Sequence, residues 1–143
     1  MEALNAGLDA KLFNYLQKSI KETAYYKLLR IELQQLAPGS ADFQVVAGEE
    51  HTNPMGLIHG GLMTSIADAA MGNAVRSLGI KGVTADMSTA LMASARPGDT
   101  ITARGKILKS GKNLIFAEAL VYVGETLAVH SKATFFKIAD IKY

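Results

Sequence analysis

The stretch that most constrains this chain is residues 60–78. Leu62, Met63, Ile66, Ala67, Ala69, Ala70, Met71, Ala74, Val75 and Leu78 leave it almost no polar face. A helix that is apolar nearly all round is wrapped by protein rather than laid on a surface, so the rest of the chain must surround it. One narrow stripe breaks the pattern. Thr64, Ser65, Asp68 and Gly72 follow Gly61 at spacings of three, four, seven and eleven, which puts all five on one face. A carboxylate between small residues on a buried helix is costly unless it is paired, hydrated or used. Asp68 is therefore the first candidate for chemistry.

The flanking segments supply the wrapping. Leu8, Leu12, Phe13, Leu16 and Ile20 recur at helical spacing, with Asp9, Lys11 and Lys18 elsewhere on the wheel, and predict an amphipathic helix over 8–20 that covers something. From Tyr26 the period changes to two: Leu29, Ile31 and Leu33 alternate with Arg30, Glu32 and Gln34, as in a half-buried strand. Ala37-Pro38-Gly39-Ser40 signals a turn, 42–47 the returning strand, and 49–58 a loop that delivers the chain to the buried helix. Beyond the helix, Val83, Ala85, Met87, Leu91 and Ala93 alternate with Thr84, Asp86, Ser88 and Ser94. After a turn at Arg96-Pro97-Gly98-Asp99, Ile101, Ala103 and Ile107 alternate with Thr102, Arg104 and Lys106. Residues 109–113 read as a hairpin tip, and 114–123 and 126–138 as two more strands joined at Gly124-Glu125. That makes about six strands with short connections, which favour antiparallel pairing because a parallel partner needs a long crossover. An α+β domain follows, an antiparallel sheet curled around the central helix with the N-terminal helix outside. No linker or repeat divides the chain, and residues 1–143 are expected to form a single domain.

Several chemistries are excluded by residue supply. The chain has no cysteine, so disulfides, thiolate metal sites and cysteine nucleophiles are absent. Fifteen Lys and Arg against 13 Asp and Glu, a net charge of +2, is too weak a bias for nucleic acid or an anionic membrane. No apolar run is long enough for a membrane span, and the N-terminus lacks a signal pattern, so a cytoplasmic location is expected. His51 and His130 have no acidic or histidine partner at ligand spacing and read as solvated or structural. There is no Gly-x-Ser-x-Gly elbow and no Walker-type loop.

What remains is Asn53-Pro54-Met55-Gly56-Leu57-Ile58-His59-Gly60-Gly61, opening the buried helix. The first amides of a helix lack intrahelical partners and lie at its positive end, so they suit an oxyanion or a polarised carbonyl. Gly60 and Gly61 would let a ligand approach that backbone; alternatively they only permit a tight turn, with His59 as a cap. This segment, with Asp68 nine residues after the histidine, resembles the signature of hotdog-fold acyl-CoA thioesterases, of the phenylacetate-degradation (PaaI-like) type. The resemblance runs from about Leu29 to Phe136. It implies a hotdog fold and hydrolysis of an acyl-CoA without cofactor or metal. It further implies that the Gly60 amide polarises the thioester carbonyl with Asn53 assisting and His59 holding the local geometry. Asp68 would activate water or attack the carbonyl itself, and Thr84 would help to orient the water. Arg96, Lys109 and Lys112 lie at turns that could reach the phosphates of CoA, while Gly61, Ser65 and the nearby methionines border the acyl group.

Helix geometry adds a constraint that the resemblance does not. Asp68 lies eight residues beyond Gly60, about 12 Å at 1.5 Å per residue, whereas a general base must come within about 3 Å of its target or one water away. A carbonyl held at Gly60 is out of reach of the same chain's Asp68. Two antiparallel copies of the helix about a twofold axis would bring each Asp68 to the other chain's Gly60, so at least a homodimer is expected, and by resemblance a homotetramer. A non-catalytic acyl-CoA binder or sensor on the same fold is the alternative. A hotdog dehydratase, which uses a differently placed histidine, fits the spacing poorly.

Overall fold

The computed structural model describes residues 2–143. The apolar stretch forms helix α3, Gly60–Arg76, with Ile66, Ala67, Ala70, Met71 and Ala74 wholly buried. Around it curls one sheet of seven strands: β1 (Leu4–Asn5), β2 (Glu32–Ala37), β3 (Ser40–Val46), β4 (Ile80–Leu91), β5 (Thr100–Ser110), β6 (Leu114–Val123) and β7 (Thr126–Asp140). Their order is β1-β2-β3-β5-β6-β7-β4, antiparallel throughout except for the β1–β2 pair. This is the expected wrapped-helix arrangement, with the two-residue β1 added to the six strands legible in the sequence.

The inward parity of the strands makes the core. Ile101 and Ala103 of β5, Ile115, Ala117, Ala119 and Val121 of β6, and Val129, Ser131, Ala133 and Phe135 of β7 all face α3 and are buried. Helix and sheet come close at Gly105, where a Cβ would run into the backbone of Ala70 and Met71. Only a residue without a side chain lets α3 seat that deeply.

Two segments differ from the expectation. Helix α1 spans Ala10–Glu22 and buries Leu12, Phe13, Leu16 and Ile20. It begins two residues later than the 8–20 periodicity suggests, because Asp9 caps it by accepting from the Leu12 amide at 3.2 Å. The strand expected from Tyr26 is instead a short helix, α2, Ala24–Leu29, and β2 starts at Glu32. Arg30 ends α2 in the left-handed region (φ 61°) and turns the chain into the strand. Leu29, Ile31 and Leu33 alternate only because they straddle that join. Arg30 also pairs with Glu50. The loop over 49–58 holds one 3-10 turn, Glu49–His51. Among the described residues no helix is long and apolar enough to cross a membrane.

Candidate active site

The site is built where the 49–58 loop enters α3. His59 is the N-cap: its Nδ1 accepts from the Gly61 amide at 2.7 Å. An accepting Nδ1 carries no proton, so the ring is the neutral Nε2–H tautomer. The Leu62 amide donates to the His59 carbonyl at 3.0 Å. Of the first amides of α3, Gly60 N–H therefore stays free, with no acceptor among the described residues. The two readings of His-Gly-Gly turn out to be compatible, since the histidine caps the second glycine and leaves the first one open. Gly61 thus cannot lend its amide to a ligand; what it contributes is absence of bulk. Gly60 is crowded from the other side by Leu91 of β4, whose Cδ1 would lie 2.8 Å from an added Cβ.

Asn53 shapes the approach loop. Its Oδ1 accepts from the Met55 and Leu57 amides at 2.9 and 3.1 Å, and its backbone exchanges bonds with Gly56 and Leu57. The side-chain oxygen is consumed by the turn, and the Nδ2 donor is without a partner among the described residues. The loop is tied to the core by the His59 amide, which donates to the His51 carbonyl at 2.8 Å. His51 is buried and structural: Nδ1 accepts from Gly48 at 3.0 Å, and Nε2 donates to the Leu29 carbonyl at 2.8 Å. His130 has an acidic partner that its own strand did not reveal. Glu118 sits across the β6–β7 ladder with Oε1 2.8 Å from Nε2, on the outer face away from α3.

Further along the stripe, Asp68 is half-buried, and its Oδ1 accepts from the Thr84 hydroxyl at 3.0 Å. Its other oxygen has no partner among the described residues and is not sealed from solvent. Burial pushes the Asp68 carboxyl above the ordinary value for aspartate, and the Thr84 hydrogen bond pulls it partly back. Thr84 reaches Asp68 through a β-bulge. Phe135 and Ala133 of β7 face inward and pair with Thr84 and Met87, so an extra residue is accommodated between Thr84 and Asp86. The alternation expected from the sequence put Thr84 on the face opposite Met87; the bulge resets the parity and aims both toward α3.

Asp68 lies between β4 on one side and α2 on the other. The Tyr25 hydroxyl is 2.7 Å from Ser65 Oγ, one turn before the acid. Tyr26, whose hydroxyl accepts from Asn73 Nδ2 at 3.1 Å, lies close enough to feel the charge of Asp68, and burial followed by that charge raises its own pKa. Asn73 in turn accepts from Arg76, which also donates to Ser19 of α1. Nothing in the sequence announced Tyr25: it is forty residues from Ser65, between the segments that read as helix and as strand.

The cationic candidates do not converge. The Arg96 amide closes the β4–β5 turn by donating to Asp99 at 2.9 Å, and its side chain is exposed at the entry to β5. Lys109 and Lys112 are exposed at the far end of that strand. Ten residues of extended chain separate the ends of β5, about 30 Å, so one phosphate cannot meet both groups from one chain. A cavity of about 640 Å³ lies elsewhere, between α1, α2 and β2, and neither Gly60 nor Asp68 lines it. Among the described residues no three of His, Asp and Glu gather as metal ligands.

Comparison with known proteins bears on family and fold. A family model described as the thioesterase superfamily matches residues 55–130, more than half of the chain and inclusive of Gly60, Asp68 and Thr84. Acyl-coenzyme A thioesterase 13 of Homo sapiens is 36% identical over 89 residues, 61% of this chain and 64% of that protein. The chain thus spans a little under two thirds of that relative's length. A putative esterase of Archaeoglobus fulgidus is 25% identical over 121 residues, 84% of this chain and 79% of that one. Among solved structures, the PaaI protein of the E. coli phenylacetic acid degradation operon superposes with a TM-score of 0.88 at 20% identity, covering 94% of this chain and 99% of its own. A hypothetical thioesterase of Streptococcus pneumoniae, solved with coenzyme A, superposes with a TM-score of 0.76 at 21% identity, over 78% of this chain and 91% of its own. With its helix wrapped in a sheet and the matched segment running from the end of the loop through α3 and β4, the chain belongs to the thioesterase superfamily.

Proposed function

We propose that this protein hydrolyses acyl-CoA thioesters to the free acid and CoA. The observation that carries the reading is the pairing, on one helix, of a free Gly60 amide at the positive end with a half-buried Asp68 held by Thr84. The Gly60 N–H donates to the thioester oxygen as charge develops there, with Asn53 Nδ2 as a second donor and His59 fixing the turn. Asp68 takes a proton from water as the water oxygen bonds to the carbonyl carbon, or attacks that carbon itself to give an anhydride that water then opens. In either case the C–S bond breaks, and the thiolate leaves and is protonated. A carboxylate pushed above its ordinary value is the stronger base for the first route. Thr84 holds Asp68 in register.

The site is shared between two chains in this reading. Along α3 the Gly60–Asp68 offset is about 12 Å, and β4 pairs only with β7, leaving a free twelve-residue edge beside Thr84. Val83, Leu91 and Met92 are exposed at and beyond that edge. An unpaired edge of this length invites another strand, and a second copy of β4 supports the twofold arrangement that juxtaposes Gly60 and Asp68. The separation of Arg96 from Lys109 and Lys112 is accommodated the same way, with each end serving a different chain's ligand. Exposed Leu114, Phe116, Phe136 and Ile138 on the outer face of β6 and β7 are the surface for further pairing into a tetramer.

Release of free thiol from acetyl-, decanoyl- and phenylacetyl-CoA, compared between wild type and Asp68→Asn, tests the activity. Turnover in the wild type that disappears in the variant is the expected result. Binding of acyl-CoA without turnover in the wild type would replace hydrolysis by the binder reading.

A further inference from the structure

Helix α2 has no fully buried residue, with Tyr26 and Leu29 packing only partly against the core. It is held over α3 by side-chain bonds, Tyr25 to Ser65 at 2.7 Å and Tyr26 to Asn73 at 3.1 Å. Tyr25 is 52% exposed, yet its hydroxyl is tied to the polar stripe. Such a ring is an apolar plate with a fixed tip. Ser65 lies five residues beyond Gly60, about 7.5 Å along the axis, and between them the stripe carries only Gly61 and Thr64. The stripe thus carries only small side chains from the free Gly60 amide to Ser65, where the Tyr25 hydroxyl is bound.

We infer that Tyr25, held by Ser65, is the end wall of the acyl channel and the residue that sets how long an acyl group the site accepts. The inference rests on the thioester reading, which puts the carbonyl at Gly60. An acyl group laid along the stripe from that point fits while it is shorter than about 7.5 Å and meets the ring when it is longer. The substrate class is therefore short or compact acyl-CoA. The ring rather than the hydroxyl does the selecting; the Ser65 bond only fixes where the ring stands. Removing the ring opens the channel toward solvent past α2.

The test measures kcat/KM for acetyl-, butyryl-, hexanoyl-, octanoyl- and decanoyl-CoA in wild type, Tyr25→Ala and Tyr25→Phe. Tyr25→Ala is expected to raise the decanoyl-to-butyryl ratio by at least about tenfold, the size of effect that a few methylenes in a pocket command. Tyr25→Phe keeps the ring and holds the ratio within about threefold of wild type. A uniform loss across the series in Tyr25→Ala, or a Phe variant that behaves like Ala, would overturn the wall. The same series is read as relative binding affinity with and without Tyr25→Ala in an Asp68→Asn background. A shifted chain-length profile there supports the wall even if the wild type proves not to hydrolyse. An unshifted profile overturns it, whatever the outcome for turnover.

Discussion

Asp68 is paid for in stability. A carboxyl whose folded-state pKa is raised binds more protons folded than unfolded, so stability falls as pH climbs from the ordinary aspartate range through the raised value. At neutral pH the ionised side chain therefore costs free energy, and Asp68→Asn should raise the melting temperature while reducing turnover by about 10²–10⁴-fold; thermal melts beside thiol release check both halves. A variant that loses activity together with stability would mean that Asp68 is structural. Thr84 acts on the same group in the opposite direction, because its hydrogen bond favours the ionised form. In Thr84→Ala the Asp68 pKa rises further, so the acidic limb of the kcat/KM profile moves to higher pH and turnover at neutral pH falls less severely than in Asp68→Asn. An acidic limb that stays in place would remove Thr84 from the site.

At the scale of elements, α3 was legible because its apolar residues cover nearly every face, a pattern few other elements produce, and Asp68 stood out against that background. The strands after it were legible through their period of two, since one face packs on α3 and the other meets solvent. What the pattern could not carry were the places where a local device overrides the period. The bulge after Thr84 shifts its parity by one residue with no change in composition, and the left-handed Arg30 joins a helix to a strand inside one apparently alternating run. Tyr25 was invisible for a different reason: its bond to Ser65 is long-range, and no local period encodes it. Gly105 is equally silent in the sequence, yet it sets the depth at which α3 sits. Gly105→Ala puts a methyl against the backbone of Ala70 and Met71, where neither can yield without shifting the helix. The expected cost is about 1–3 kcal/mol, read as a melting temperature lower by roughly 5–10 °C, and an unchanged melt would show that α3 seats less tightly than Gly105 implies.

At the scale of the whole molecule, the proposed reaction asks for a carbonyl donor and a carboxylate within reach of the same carbon, and the offset of about 12 Å along α3 asks two chains to supply them. Gly60 offers a clean way to remove the donor alone. It is the first residue of α3, its amide has no acceptor among the described residues, and His59 before it is extended at φ −62° and ψ 137°. Proline is tolerated at such a first position, and the residue preceding it needs an extended conformation of this kind. A Cβ added there meets only the far end of Leu91, which can swing aside. Gly60→Pro should therefore fold normally and lose about 10²–10³ in kcat, the range for one oxyanion donor. Asp68→Asn disables the other half. If each site takes its amide from one chain and its acid from the other, mixing the two inactive variants through an unfolding and refolding cycle restores one intact site in every mixed dimer. Random assortment then returns roughly a quarter of wild-type activity for a twofold pair. If amide and acid act within one chain, every site in every mixture keeps one defect and no activity returns. The same mixture diluted until dimers dissociate should lose the restored activity, so recovery that survives in monomers would place the reaction inside a single chain.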